Sequence, residues 1–93
     1  MNINKIRELV PDAALYEQLA EEAAELAQAA LKYARVLRNE NPTPISRKDA
    51  ELFVIEEYTD VLNVAELLEI EPNQYLQAHK MRRWIDRLEA MAR

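Results

Sequence analysis

"EQLAEEAAELAQAA", residues 17–30, is the stretch that decides the fold, because its apolar residues recur at helical spacing. Leu19, Leu26 and Ala30 fall on one side of such a helix, which predicts a long amphipathic element that packs through this side. Glu22 interrupts that side, at a position where a further leucine would be expected. A carboxylate on an apolar helix face destabilises the folded chain unless its charge is compensated. Glu22 therefore indicates a role other than packing.

Length and composition predict one small domain and narrow its chemistry. The 93 residues predict a single domain, residues 1–93, whose modest core is marginal alone. Hydrophobic residues make up 49% and charged residues 31%, which is typical of globular rather than disordered chains. Cysteine and glycine are both absent, which excludes disulfides, zinc–thiolate sites, thiol catalysis and glycine-rich phosphate loops.

Charge and hydropathy give expectations about partners and location. The net charge of −5 argues against broad attraction to a nucleic acid polymer, although an anionic substrate can still bind through metal ions and local cations. The start, "MNINKIRELV", is too short and too charged for a signal peptide, and no run of residues reaches transmembrane length. We therefore expect a cytoplasmic protein with no membrane partner.

Periodicity and loop signals predict an all-α fold, a bundle of about four helices. The predicted helices cover about residues 3–9, 13–38, 46–69 and 72–92, with "NENPTPI" as the one clear loop. Asp12 and Ser46 are predicted N-caps, Ser46 with Asp49 in a capping-box pattern, and Pro72 suits the first turn of the last helix. The third helix is apolar nearly all round, which predicts deep burial and assembly into a homodimer or homotetramer.

A second pair of acids lies in the most apolar quarter of this third helix. Glu57 is flanked by Val64, and Asp60 follows three residues after Glu57, so both acids face the same side. Glu22 and Glu25 have the same spacing on the second helix, with Glu22 inside the apolar arc and Glu25 on its border. Two consecutive helices are therefore predicted to direct a carboxylate pair inward.

Four inward carboxylates need compensation that the cations of this chain cannot supply. The sequence has one histidine and few inward-facing basic residues, whereas carboxylate oxygens with waters are the ligand set of Mg²⁺ and Mn²⁺. We predict a metal site with Mg²⁺ as the cofactor and Mn²⁺ as a substitute, formed by Glu22, Glu25, Glu57 and Asp60. The competing interpretation is a non-enzymatic helical interaction module whose inward acids pair with the basic residues of a partner.

The two acidic motifs resemble those of a known family. "EEAAE" (residues 21–25) and "EEYTD" (residues 56–60) are similar to the paired Glu-x-x-Glu and Glu-x-x-Asp motifs of MazG-like, all-α nucleoside triphosphate pyrophosphohydrolases. The resemblance covers roughly residues 13–85. It implies Mg²⁺-dependent hydrolysis of a (deoxy)nucleoside triphosphate to the monophosphate and pyrophosphate, as in clearing unwanted nucleotides. The family's metal ligands match Glu22, Glu25, Glu57 and Asp60. Glu21 and Glu25 are both candidates for the carboxylate that takes a proton from water, and the sequence does not choose between them.

Two features depart from the family pattern. The segment containing "NENPTPISRKDAE" is longer than in compact members, and a loop without function is favoured there over a lid or a subunit contact. The related phosphoribosyl-ATP pyrophosphatases carry an aromatic–histidine pair soon after the second motif, where this chain has Asn63 and Val64. This second departure argues against that branch.

Four further residues are candidates for substrate binding: Lys32, Asn63, Lys80 and Arg83. Lys80 and Arg83 resemble the basic residues that the family uses on its last helix for phosphate, with a solvated helix end as an equal alternative. Lys32 lies near the side of Glu25, where a salt bridge is favoured over a phosphate contact. Asn63, one turn beyond Asp60, is a candidate to orient a ligand or to read a base edge.

Overall fold

The residues that the structure describes form four α-helices, as the sequence predicts. The computed structural model describes residues 2–40 and 44–92. The helices are α1 (Asn4–Leu9), α2 (Asp12–Arg38), α3 (Arg47–Leu67) and α4 (Gln74–Met91), and the described ranges contain no strand. None of these four helices combines the length and the apolar character that crossing a bilayer requires. For the described residues, the all-α class and the number of helices are confirmed. Part of the predicted loop, residues 41–43, lies outside them.

The long helix α2 forms because its sequence favours a helix and because its C-terminal end is capped. Residues 20–30 are rich in alanine and glutamate, which have high helix propensity. The helix ends at Arg38, and the N–H of its C-cap residue Asn39 donates to the Val36 carbonyl. The left-handed backbone of Asn39 (φ 56°) then turns the next N–H back toward the helix. The N–H of Glu40 donates to the carbonyl of Arg35, which completes the C-terminal motif. Asparagine tolerates this conformation better than most residues, which suits a chain without glycine.

The N-terminal caps of α2 and α3 differ in kind. The prediction of Ser46 as a cap is confirmed, because its Oγ accepts a hydrogen bond from the Asp49 N–H at 3.1 Å. The prediction of Asp12 as a cap was wrong by one residue, since Asp12 is the first residue of α2 and Pro11 is its N-cap. The fixed φ of proline, here −67° with an extended ψ of 153°, supplies the cap backbone without any side-chain hydrogen bond.

The connection between α3 and α4 is set by a left-handed residue and a side-chain cap. Glu69 has φ 58°, and the N–H of Ile70 after it donates to a carbonyl in the last turns of α3. The Asn73 side chain caps α4 by accepting from the Leu76 N–H at 2.9 Å. Pro72 therefore lies just before the N-cap, not in the first turn of the helix as predicted.

Among the described residues, α2 and α3 form the one extensively packed pair of helices. They lie antiparallel, because Glu25 shares a groove with Glu57 while Lys32, further along α2, shares one with Asp49 near the start of α3. The residues fully buried by the fold are Leu15, Ala50 and Val64. Such a small core makes the isolated chain marginal.

A single arginine attaches α1 to the far end of α3. The Arg7 guanidinium donates to the carbonyl of Leu67 at 3.0 Å and to that of Glu66 at 2.9 Å. These carbonyls belong to the last turn of α3, where the regular helical hydrogen bonds end, although the Glu66 carbonyl also accepts from the Glu69 N–H at 3.0 Å. Arg7 therefore supplies both hydrogen bonds and a favourable charge at the negative end of the helix dipole.

The prediction that the third helix is deeply buried is wrong for the single chain. Leu52, Ile55 and Leu62 on α3 each expose about half of their surface. The physical reason is that α4 does not pack extensively against α3, and no residue of α4 is buried. Consequently α4 also exposes an apolar row that includes Trp84, Ile85, Leu88 and Met91.

Candidate metal centre

The α2–α3 pair brings the four predicted metal ligands together. Each of the four side chains offers one carboxylate oxygen, and these oxygens all lie within 4.8 Å of one another. The carboxylate cluster consists of Glu22, Glu25, Glu57 and Asp60. On each helix the spacing of three residues places both acids on one face, and antiparallel packing turns the two faces toward each other. The structure therefore brings the four predicted residues together.

Two oxygens of the carboxylate cluster are buried and lack a hydrogen-bond partner. Glu22, Glu57 and Asp60 are half-buried, whereas Glu25 is exposed at the border that the helical wheel predicts. Glu22 Oε1 accepts a hydrogen bond from Gln18 Nε2 at 2.6 Å. Glu22 Oε2 and Glu57 Oε2 are shielded from solvent and have no partner among the described residues. An unsatisfied buried acceptor costs about 1–3 kcal/mol, and more when it is charged, so these two atoms call for a ligand.

The pKa of Glu25 reports the mutual repulsion inside the cluster. The negative charge of Glu22 is the largest cause that raises this pKa above the ordinary value of 4.5. Hydrogen bonding to Glu57, the charge of Glu57, desolvation and hydrogen bonding to Glu22 raise it further. All of these act in the same direction because they favour a proton on Glu25 over a further negative charge. A cation bound here would reverse that preference.

No basic side chain of the described residues neutralises the cluster. The ion pairs in residues 2–40 and 44–92 are Arg7 with Glu69 at 3.8 Å and Arg82 with Asp86 at 3.4 Å. A donor set made only of carboxylate oxygens suits the hard divalent cations and not those that prefer sulfur or imidazole. The four carboxylates of the cluster are therefore suitable ligands for Mg²⁺ or Mn²⁺.

The other predicted site residues are spread over three surfaces. Glu21 and Asn63 are exposed, each on the same helix as cluster acids but outside the cluster itself. Lys32 lines a groove with Glu25 and Glu57, and the salt bridge that we favoured for it does not form among the described residues. Lys80 and Arg83 line a surface made by α4 side chains alone. Because α4 does not pack extensively against α2 or α3, these two residues are not brought to the carboxylate cluster within one chain. Within a single chain, the predicted site residues therefore do not all belong to one site.

Three residues near the cluster were missed by sequence reasoning. Gln18 orients Glu22 through its hydrogen bond, and Arg35 and Phe53 line the groove that begins at Glu25. Helical spacing could have found the first two, because Gln18 is one turn before Glu22 and Arg35 continues the face that carries Glu25 and Lys32. Phe53 had no comparable signal, since an aromatic residue on an apolar helix is ordinarily assigned to the core.

Comparisons with known proteins found no similarity that identifies the chain. No family model matches it, and neither a curated protein nor a solved structure gives a match. The functional assignment therefore depends on the site and on the two acidic motifs.

Proposed function

We propose that this chain is a Mg²⁺-dependent nucleoside triphosphate pyrophosphohydrolase of the MazG-like kind. The observation that carries the proposal is the carboxylate cluster, with two buried oxygens that no described residue satisfies. Four acids at the seam of a small core lower the stability of the folded chain. Their presence is therefore best explained by a function that needs them. The order and spacing of "EEAAE" and "EEYTD" support this reaction over other uses of a divalent cation.

The side chains divide between holding the cation and moving a proton. A divalent cation supplies positive charge to the phosphate oxygens of a polyanionic substrate. Glu22, Glu57 and Asp60 are the half-buried members of the cluster and are suited to fixed ligation. Glu25 is the exposed member of the cluster, so its carboxylate can be reached by a water molecule and is suited to accept a proton. Glu21 is the second candidate for that role.

We further propose that the functional unit is a homodimer or homotetramer acting on cytoplasmic nucleotides. The exposed halves of Leu52, Ile55 and Leu62 on α3 and the uncovered α4 support assembly, because such apolar area is rarely left in water. A second copy is also the simplest way to bring Lys80 and Arg83 near a carboxylate cluster.

One observation favours the alternative of a non-enzymatic interaction module. The helix α4 exposes apolar side chains together with Lys80, Arg83 and Arg87, which is the surface expected of a docking helix. In that interpretation the acids would serve a basic partner and would have no need of Mg²⁺. The two functions therefore differ in metal dependence.

The deciding experiment is a screen of canonical and damaged nucleoside triphosphates for pyrophosphate release, with Mg²⁺ and with a chelator. We expect release that depends on Mg²⁺ and is lost in Glu57→Gln, with Glu51→Gln on the same helix as a charge-matched control. Glu51 is exposed and outside the cluster. Absence of pyrophosphate release from every nucleotide, together with no effect of Mg²⁺ on the melting temperature, would favour the interaction module.

A further inference from the structure

A groove leads from the carboxylate cluster toward the C-terminal end of α2. Glu25 and Glu57 form one end of the groove, and Lys32 and Arg35 line its continuation along α2, with Phe53 contributed by α3. At 1.5 Å per residue, the backbones of Glu25 and Arg35 are separated by about 15 Å along the helix. The long side chains of Lys32 and Arg35 can reach part of the way across this distance. The groove therefore carries negative charge at one end and positive charge further along.

The two cations of this groove have no protein partner among the described residues. Neither Lys32 nor Arg35 takes part in an ion pair, although α2 and α3 are rich in acids. Arg35 is half-buried, and none of the side-chain hydrogen bonds in the described part of the chain comes from its guanidinium. A guanidinium has five N–H donors in a planar fork that matches phosphate oxygens. Donors left unused beside a groove indicate an anionic ligand.

We propose that Lys32 and Arg35 bind the pyrophosphate end of the nucleoside triphosphate and so fix the direction in which the substrate lies. This inference rests on the proposed function, and it adds Arg35 to the substrate-binding residues. The terminal two phosphates lie along the groove toward Arg35, and the nucleoside lies on the other side of the carboxylate cluster. Lys80 and Arg83 then contact the substrate only if another copy supplies them.

The direction has a chemical consequence. Water adds to the α-phosphorus and gives its proton to a carboxylate of the cluster. The bond from the α-phosphorus to the bridging oxygen breaks, and its electron pair leaves with pyrophosphate. Negative charge grows on the leaving group, which Lys32 and Arg35 stabilise where it develops. Loss of Arg35 should therefore lower kcat as well as affinity for pyrophosphate.

The test measures binding of pyrophosphate and of a nucleoside monophosphate by calorimetry in the presence of Mg²⁺. Wild type is compared with Arg35→Ala, Arg35→Lys and Arg38→Ala. Arg38 is exposed, one turn beyond Arg35 and outside the groove, so Arg38→Ala removes the same charge from the same helix end. Circular dichroism and melting temperatures establish that each variant is folded.

We expect Arg35→Ala to weaken pyrophosphate binding by roughly 10- to 100-fold, the loss typical of hydrogen bonds to a charged group. Arg35→Lys should recover part of this affinity, Arg38→Ala should bind like wild type, and binding of the monophosphate should be unchanged in all variants. Equal losses in Arg35→Ala and Arg38→Ala would overturn the inference, and so would a loss for the monophosphate alone, which would place the nucleoside in the groove.

The outcomes separate this inference from the function on which it rests. Pyrophosphate binding that depends on Arg35, without hydrolysis of any nucleotide by wild type, would refute the proposed function and leave the anion groove standing. Nucleotide hydrolysis by wild type, with wild-type pyrophosphate affinity and kcat in Arg35→Ala, would refute the inference alone.

Discussion

At the scale of single residues, Glu22 and Glu57 hold the two buried carboxylate oxygens that no described residue satisfies. Both residues lie inside apolar arcs of their helices, and this position is the sequence signal that indicates the carboxylate cluster. Acids at the same spacing on a solvated helix face would not have indicated a cluster, because glutamate pairs are common on such faces. The groove cations were less predictable. The sequence favours a salt bridge for Lys32 and does not single out Arg35. A helical wheel shows which side a residue faces, but not whether an acid on the neighbouring helix comes within reach.

Glu25 gives a prediction about pH. Its pKa is raised in the folded chain, so between the ordinary value of 4.5 and the raised value the folded state binds more protons than the unfolded state. The stabilising contribution is complete below 4.5 and is lost as the pH rises through the raised pKa. We therefore expect the free energy of unfolding of the metal-free chain to fall over this window, as measured by denaturant titrations at a series of pH values.

The matched variant for this experiment is Glu25→Gln, which should show a shallower fall because its side chain does not titrate. Mg²⁺ should act in the opposite sense, since it competes with protons and stabilises the chain more as the pH rises. A steeper fall in Glu25→Gln than in wild type would contradict the stated cause of the pKa shift.

At the scale of helices, the hydrophobic pattern and the caps predicted four elements, and their ends were displaced by one or a few residues. Proline at position 11 and asparagine at position 73 supplied the N-caps that we had placed one residue later or had not assigned. The left-handed residues Asn39 and Glu69 could not be foreseen from composition, because glycine, the usual marker of that conformation, is absent.

Glu69 gives a prediction about the end of α3. Its φ of 58° strains any residue that has a Cβ atom, so Glu69→Gly should raise the free energy of unfolding by about 0.5–1 kcal/mol. The contact with Arg7 that this change removes is 3.8 Å long and largely exposed on the glutamate side, so its loss costs little. Denaturant melts check the prediction, with Glu66→Gly inside α3 as a control that should lose about 1 kcal/mol.

The basic end of α4 gives a prediction about turnover. If Lys80 and Arg83 contact the phosphates from a neighbouring copy, replacing either by alanine should raise KM or lower kcat by about tenfold and leave Mg²⁺ binding unchanged. Arg82→Ala is the control, because Arg82 is engaged by Asp86 on the same helix. Steady-state kinetics like those of wild type in both variants would assign these residues to a solvated surface.

At the scale of the whole molecule, the placement of α4 was beyond prediction from sequence. A helix finds its place by burying an apolar side, and within one chain α4 buries none of its residues. The extents of 52 × 39 × 21 Å describe an elongated chain whose packed part is the α2–α3 pair. The sequence shows that α3 carries more apolar surface than one chain covers, but neither what covers this surface nor that α4 is left uncovered as well.

This uncovered surface predicts self-association. We expect light scattering at micromolar concentration to give a mass that is a multiple of 10.8 kDa. Replacing Ile55 or Trp84 by aspartate should shift the population toward the monomer, because a charge at the centre of an apolar contact is costly. Gln77→Glu changes the charge of α4 at an exposed polar position and serves as the control. A mass of 10.8 kDa that does not change with concentration would refute assembly.

The central claim is that the carboxylate cluster binds a divalent cation, and the most direct test is the melting temperature of wild type and Glu22→Gln with and without Mg²⁺. The substitution removes one charge from the cluster and nearly keeps the shape, so the metal-free variant should be as stable as wild type or more stable. Stabilisation by Mg²⁺ should shrink, because a ligand stabilises only through its preference for the folded state. Activity should fall by about 100-fold, while Glu17→Gln, an exposed change five residues earlier on the same helix, should behave like wild type. Marked destabilisation of metal-free Glu22→Gln, with the Mg²⁺ response and activity retained, would contradict the metal site.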